Sequence, residues 1–342
     1  MTPFWGIMFK YILKRILISI VVLLGVSIII YTLVRMMPND YVDIKFASQL
    51  QSGSITQADV DAFKELYGIG DKSFGGIVSG YFNWLGNLCK GNLGLSFKYE
   101  KSVASVISEN MWVSFAIALI ATILQFLIAI PLGVSSATHQ YSARDYIVTV
   151  LTMIGISLPT YFFGAIVIKI FSVDLGWFPS NGLIDASATY PNTFAGFMSK
   201  LGDMAHHLVL PIFVSVLLSI GGLMRYTRTN TLEVLNADYI RTARAKGLSE
   251  RKVIYTHAFR NTMIPLVTLL AGILPSLFGG MMITEQVFGI DGIGRLAYNA
   301  LKDGDIPFVM GYNMCLAVLT VIGTLFSDIM YSVVDPRVKL GK

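Results

Sequence analysis

A charged stretch from Asp238 to Lys252 carries the residues of this sequence whose types and spacing are best suited to chemistry. Eight Lys or Arg residues lie between Arg225 and Arg260, against three acidic ones. Because basic loops of membrane proteins stay on the cytoplasmic side, this loop is predicted to face the cell interior. A folded, charged loop held there offers a docking surface to another protein.

Two helices joined by a glycine turn are predicted within this stretch. Gly247 suits the left-handed conformation of a helix C-terminal cap, and Ser249 can cap the amides of a second helix. Before the turn, a helix is predicted up to Lys246, because apolar residues recur at helical spacing at Leu232, Leu235, Tyr239 and Ala243. After the turn, one side of the second helix carries Val253, Ile254 and His257.

Docking requires shape as well as charge. Positive charge alone could anchor the orientation of the protein in its membrane, and Arg241, Arg244 and Lys246 would serve that purpose equally well. A turn followed by a second amphipathic helix is not needed for anchoring, so docking is the favoured interpretation. The predicted docking surface consists of Asp238, Arg241, Thr242, Ala243, Arg244, Ala245, Lys246, Gly247, Leu248 and Ser249.

The elements that must hold this loop are membrane helices. Of the 342 residues, 54% are hydrophobic and only 14% are charged, which is outside the usual range of soluble domains. Long uncharged stretches predict an all-α, polytopic membrane protein with six transmembrane helices. These stretches are Ile16–Val34, Met111–Thr138, Tyr146–Ile168, Leu208–Met224, Asn261–Thr284 and Ile306–Ser327.

Basic residues at the two ends of the chain set the predicted topology. They precede the first span and follow the last one, so both termini are predicted to be cytoplasmic in a multi-pass protein of the cell membrane. The basic residues are Lys10, Lys14, Arg15, Arg337, Lys339 and Lys342. The predicted divisions are the N-terminal segment with the first span (1–35), a small external subdomain (36–110), a core with five spans (111–334) that includes the cytoplasmic loop 225–263, and a cytoplasmic tail (335–342).

Nucleic acid and nucleotide binding are disfavoured by the same sequence. The net charge is +5, but the basic residues gather near the ends of the spans and form no continuous patch with interleaved aromatic residues. No stretch reads GxxxxGK followed by Ser or Thr, so ATP and Mg would have to bind to another subunit, and no cofactor is predicted here. The glycines between Gly289 and Gly294 follow no strand of a βαβ unit, which argues against a dinucleotide site.

Neither an enzyme nor a proton-coupled carrier is favoured. The spans show no nucleophile beside a base, no paired aspartates and no metal cluster, and His206 and His207 are interpreted as lacking a carboxylate at ligand spacing. A proton-coupled carrier needs ionisable groups near the membrane midplane. Here Lys169 lies at the outer end of the third span and Asp328 about two turns from the cytoplasmic end of the sixth. The secondary carrier is kept as the alternative from a different class.

The charged loop resembles the cytoplasmic EAA loop of binding-protein-dependent ABC importers. The pattern of that loop is Glu-Ala-Ala, three further residues and Gly, with a Pro further on; Gly247 and Pro265 occupy the last two positions. Arg241 and Thr242 replace the Glu and the first Ala, whereas Ala243 is retained. This departure is similar to the oligopeptide and dipeptide permease branch of the family.

Other segments resemble the same branch, and the likeness runs nearly from end to end. Pro38–Tyr41 departs locally, because the branch often has Pro-Gly-Asp-Pro there. The sequence thus looks like an OppB- or DppB-like permease subunit. The segments that carry the likeness are Gly91–Ser96, Ile130–Gly133, Ile156–Pro159 and Val287–Arg295.

This resemblance implies a type I ABC importer permease fold and a role in ATP-driven uptake of oligopeptides or dipeptides. The implied partners are a second homologous permease, two ATP-binding subunits that hold ATP and Mg, an extracytoplasmic peptide-binding protein and the lipid bilayer, with no nucleic acid. The loop would sit in a cleft of an ATPase subunit and transmit its movements. A permease for nickel or another small solute is the alternative within the class, and the residues of the substrate pathway stay unassigned.

Overall fold

The chain folds into helices joined by short turns. A computed structural model describes residues 2–36, 46–47, 50–66 and 73–334, and within them the extended pairing is confined to an isolated antiparallel bridge between Leu95 and Ser102. The predicted all-α fold is confirmed. The helices are α1 (Thr2–Arg35), α2 (Gln57–Leu66), α3 (Phe74–Cys89), α4 (Val103–Thr138), α5 (Ala143–Ser157), α6 (Thr160–Val167), α7 (Phe194–Leu235), α8 (Asp238–Ala245), α9 (Glu250–Lys252), α10 (Phe259–Phe278), α11 (Met282–Val287), α12 (Ile293–Lys302) and α13 (Ile306–Val334).

Four helices in the described part of the chain are long and apolar enough to cross a membrane, or five if the bent pair α5 and α6 counts as one span. These helices contain the predicted first, second, fourth and sixth spans. The predicted fifth span falls largely on α10, which has 20 residues. The count of six stays a prediction. The segments that meet this length and composition test are Ile12–Arg35, Val103–Thr138, Phe194–Leu235 and Ile306–Phe326.

The predicted third span is not a continuous helix. It breaks between α5 and α6, whose axes differ by 105°. Pro159 lacks an N–H group and keeps the preceding residue out of the helical region, and Leu158 accordingly takes an extended conformation with φ −84° and ψ 128°. A π-helical segment from Ile168 to Asp174 then continues α6. The stretch Tyr146–Ile168, predicted as one span, thus contains a sharp bend at Pro159.

Two further span boundaries differ from the sequence analysis. Helix α7 has 42 residues and extends beyond Leu208–Met224 at both ends, because polar residues on a long helix do not interrupt its backbone hydrogen bonds. It begins where the Thr193 side chain accepts a hydrogen bond from the Gly196 N–H. The fifth span ends early, at Phe278, because Gly280 takes a positive φ of +74° before α11 begins.

Helix α4 packs against α7 along much of its length, and this pair forms the centre of the fold. The helices approach closely at Gly133, where an added Cβ would lie 2.7 Å from Cβ of Thr227 and 2.8 Å from the carbonyl oxygen of Met224. Small residues allow such contact between membrane helices. Ala129, Leu223, Met224 and Leu266 then form a buried apolar cluster between α4, α7 and α10.

The segment predicted to be external is attached to the rest of the chain through Asp305, which is fully buried before α13. Its carboxylate accepts hydrogen bonds from Ser96 Oγ at 2.5 Å and from the Lys98 N–H at 3.0 Å. The Tyr99 hydroxyl donates to the Leu296 carbonyl at 2.9 Å, and burial raises the pKa of this tyrosine. The loop after α3 is thus joined to α12 and to the turn before α13.

Two ionisable residues singled out in the sequence have partners. Lys169 Nζ lies 3.0 Å from Asp174 Oδ1, at the π-helical end of the third span. His207 Nδ1 lies 3.2 Å from Asp203 Oδ1, one helical turn earlier. The expectation that no carboxylate stands within reach of this histidine pair was therefore wrong. The side chain of Asp328 lies outside the described residues.

Candidate docking hairpin

The hairpin, residues 238–258, lies between two long helices, α7 and α10. Helix α7 runs through its membrane segment to Leu235, where α8 follows after a break at Asn236 and Ala237. Ala237 is extended, with φ −71° and ψ 149°, so the first helix is not continuous from Leu232 to Lys246 as the spacing predicted. After the turn, α9 passes through a π-helical segment, Val253–Ala258, directly into α10. The hairpin is therefore joined to α7 through a two-residue break and to α10 without one.

The turn at Gly247 has the predicted left-handed conformation, with φ +76°. Its N–H donates to the Arg244 carbonyl at 2.9 Å, and the Lys246 N–H donates to the Thr242 carbonyl at 3.1 Å. These bonds satisfy carbonyl groups that the end of α8 would otherwise leave unpaired. Ser249 occupies the expected N-cap position, but its side chain makes no capping hydrogen bond, so that detail of the prediction was wrong.

A small apolar cluster holds the hairpin together from beneath. Ile240, Val253 and Ala258 are fully buried, and Ala243 is nearly so. Tyr239, expected on the buried side, is 47% exposed, because the break before α8 rotates that helix relative to the end of α7. Partial burial of its ring still raises the pKa of Tyr239. The cluster is completed by Val234, Leu235 and Leu248.

The outer face of the hairpin is polar and basic. Arg244 Nε lies 2.7 Å from Glu250 Oε1 across the turn, and Arg241 Nη1 lies 3.6 Å from Asp238 Oδ1. Exposed pairs of this kind contribute little to stability, so their side chains can exchange partners at low cost. Of the predicted docking residues, Ala243 is buried and Leu248 partly buried, whereas the exposed ones are Asp238, Arg241, Thr242, Arg244, Ala245, Lys246, Gly247 and Ser249.

An ion pair that sequence reasoning missed lies near the hairpin. Arg228, two turns before the end of α7, donates to Asp145 Oδ1 from Nε at 3.0 Å and to Oδ2 from Nη2 at 2.9 Å. Ser136 Oγ donates to the same carboxylate and accepts from Arg228 Nε at 3.0 Å. The Asp145 side chain is only 5% exposed. This bidentate contact joins α4, α5 and α7 just before the hairpin begins. The one signal in the sequence was an acidic residue between the predicted second and third spans.

A second buried carboxylate, Glu285, organises the glycine-rich segment that follows α11. Its Oε1 accepts from Ser114 Oγ at 2.7 Å and from the Met281 N–H at 2.8 Å, and its Oε2 accepts from the Arg295 N–H at 2.8 Å. The Ile293 N–H donates to Ser114 Oγ at 2.8 Å. The segment Val287–Arg295 is thus tied to α4, an arrangement that spacing along the sequence could not indicate.

The fold is that of an all-helical protein in which several apolar helices are long enough to cross a membrane. Residues 129–340 match the family described as binding-protein-dependent transport system inner membrane component, and the chain belongs to that family. It is 38% identical to the oligopeptide transport system permease protein AppB of Bacillus subtilis over 97% of this chain and 100% of that protein. A putative peptide permease protein of Brucella ovis is 33% identical over 97% of this chain and 100% of its own length.

Further similarities concern a dipeptide permease and a solved structure. The dipeptide transport system permease protein DppB of Alkalihalophilus pseudofirmus is 29% identical over 97% of this chain and 100% of that protein. A chain of the MetNI methionine ABC transporter in an inward-facing conformation superposes with a TM-score of 0.51 and 18% identity, covering 68% of this chain and 97% of that chain. At this identity the match concerns the fold alone, which is an ABC importer permease fold.

Proposed function

We propose that this chain is a transmembrane subunit of an ATP-driven importer that moves oligopeptides or dipeptides delivered by an extracytoplasmic binding protein. The observation that carries the proposal is the hairpin, with its buried apolar base, its exposed basic face, its short connection to α7 and its unbroken helical connection to α10. Family membership supports transport that depends on a binding protein, and the names of the relatives support peptides as the cargo. Both favour this function over a proton-coupled carrier.

In the proposed complex the chain pairs with a second, homologous permease and with two ATP-binding subunits. ATP and Mg belong to those subunits, since this sequence contains no P-loop. Closure of the ATPase pair would displace the hairpin, and α7 and α10 would carry the displacement into the membrane. Binding of ATP can drive this change only if the hairpin contacts differ between the two states of the transporter.

Deletion of the chain tests the cargo. We expect the deletion strain to lose growth on peptides as the only source of a required amino acid, while uptake of the free amino acid continues. Complementation with the parent chain is the control. If peptide uptake persists without a duplicate system and nickel uptake is lost, the chain is a nickel permease; uptake that follows a proton gradient and ignores ATP would instead identify a secondary carrier.

A further inference from the structure

A cavity of about 470 Å³ opens between α4, α6, α7 and the turn that joins α10 to α11. Gln125 stands at the middle of the second predicted span, and Ser215 and Ser219 stand near the middle of the fourth. The cavity therefore lies at membrane depth. None of the described residues that line it carries a charge. Polar groups reach it from five helices, through Thr122, Gln125, Thr160, Ser215, Ser219, Ser276 and Thr284.

Hydrogen bonds fix the polar groups at the cavity wall. Gln125 Nε2 donates to the Ser219 carbonyl at 3.0 Å. Ser215 Oγ donates to the Pro211 carbonyl at 2.7 Å and lies 3.5 Å from Thr284 Oγ1. A glutamine amide has two N–H donors and one carbonyl acceptor, so the contact with Ser219 occupies only one of its hydrogen-bonding positions. The wall is both ordered and able to make further hydrogen bonds.

Contact between these polar groups and lipid hydrocarbon would be unfavourable. Lipid tails offer no hydrogen bonds, and amide or hydroxyl groups at membrane depth are accordingly placed against protein or a water-filled space. Serine and threonine can satisfy themselves on the carbonyls of their own helix, as Ser219 Oγ does with the Ser215 carbonyl at 2.6 Å. Gln125 cannot do so fully. The position of its amide at the cavity therefore indicates contact with water or with a polar ligand.

We infer that this cavity is a subsite through which the main chain of a transported peptide passes, an inference that rests on the proposed function. A peptide bond is an uncharged donor and acceptor, and the hydroxyl and amide groups of the wall match it in kind. Since the described wall has no charge, it does not select for or against charged side chains. Gln125 and Thr122 are the residues of α4 that make this contact, and the external binding protein would do the selecting.

Thiol labelling of the assembled transporter in proteoliposomes tests whether the cavity is a wet passage. Cys89 and Cys315 are replaced first. Thr122→Cys is then compared with Ile123→Cys, because the Ile123 side chain is exposed on α4 but does not line the cavity. A charged methanethiosulfonate should modify Thr122→Cys at least about tenfold faster, because it reacts with a thiolate that forms only in contact with water. Transport of a tripeptide should slow the reaction. Equal rates at the two positions would overturn the inference.

A charge placed in the wall tests contact with the cargo. Gln125→Lys should lower uptake of a lysine-containing tripeptide relative to a glutamate-containing one by roughly tenfold, and Gln125→Glu should shift the ratio the other way, because charges about 8 Å apart interact strongly in a partly dewatered space. Gln140→Lys, an exposed glutamine in the turn before α5, is the matched control and should leave the ratio unchanged. An unchanged ratio in both Gln125 variants, with normal parental uptake, refutes the subsite. Absence of peptide uptake by the parent transporter refutes the proposed function instead, and the labelling result at Thr122→Cys still decides whether the cavity is a passage.

Discussion

Replacement of Gly247 tests whether the geometry of the hairpin turn is needed for transport. A Cβ added at this position would meet nothing within 4 Å, so the cost of a side chain comes from the backbone alone. At φ +76° an L-residue loses about 1–2 kcal/mol, and a β-branched one is disfavoured most. A cost of about 2 kcal/mol lowers the population of the native turn about 30-fold relative to its alternatives.

Gly247→Val should therefore uncouple the transporter while the chain remains in the membrane. Peptide uptake and substrate-stimulated ATP hydrolysis are measured in proteoliposomes, normalised to the amount of assembled complex, and uptake should fall about tenfold or more. Gly247→Asn is the matched variant, because asparagine tolerates the left-handed region, and it should stay near the parent rate. Transport by Gly247→Val at the parent rate would refute the reasoning. Equal impairment of Gly247→Asn would also refute it, by assigning the effect to the side chain instead of the backbone.

Four other predictions concern docking, stability and topology. Arg244→Gln should reduce copurification of the ATP-binding subunit about tenfold, whereas Glu250→Gln should change it little; equal losses would mean that the pair itself is what matters. Arg228→Ala should lower the free energy of unfolding in detergent by about 3 kcal/mol, because it leaves the buried Asp145 carboxylate without its ion-pair partner. The double variant with Arg228→Ala and Asp145→Ala should lose less stability, and a larger loss would contradict this. Glu285→Gln should cost about 2 kcal/mol in the same assay, because an amide cannot accept the bonds that reach both carboxylate oxygens, while Gln286→Ala, at an exposed site, should cost almost nothing. An impermeant thiol reagent should label exposed Cys89 in intact cells. In a Cys89→Ser background, the same reagent should label Lys246→Cys only after the membrane is permeabilised. The reverse pattern would invert the topology.

Much of the fold could be predicted from the sequence, because local properties govern it. The length of an apolar stretch decides whether it can cross a bilayer, and the stretches within α1, α4, α7 and α13 were all located in this way. The turn at Gly247 followed from the same kind of reasoning, since only glycine adopts a positive φ without cost. Helix boundaries were less predictable. Polar residues at the ends of α7 stopped the apolar pattern but not the helix.

Contacts between distant parts of the chain were decided by the tertiary structure alone. Arg228 and Asp145 are 83 residues apart, Ser114 and Glu285 are 171 apart, and no spacing rule links either pair. The sequence by itself determined the class of protein, four of the long apolar helices and the glycine turn of the hairpin, because hydrophobic length, charge and backbone preference act within a few residues. Tertiary structure decided the 105° break at Leu158 and Pro159, the burial of Glu285 and the cavity beside Gln125, because these depend on which helices come to lie against one another.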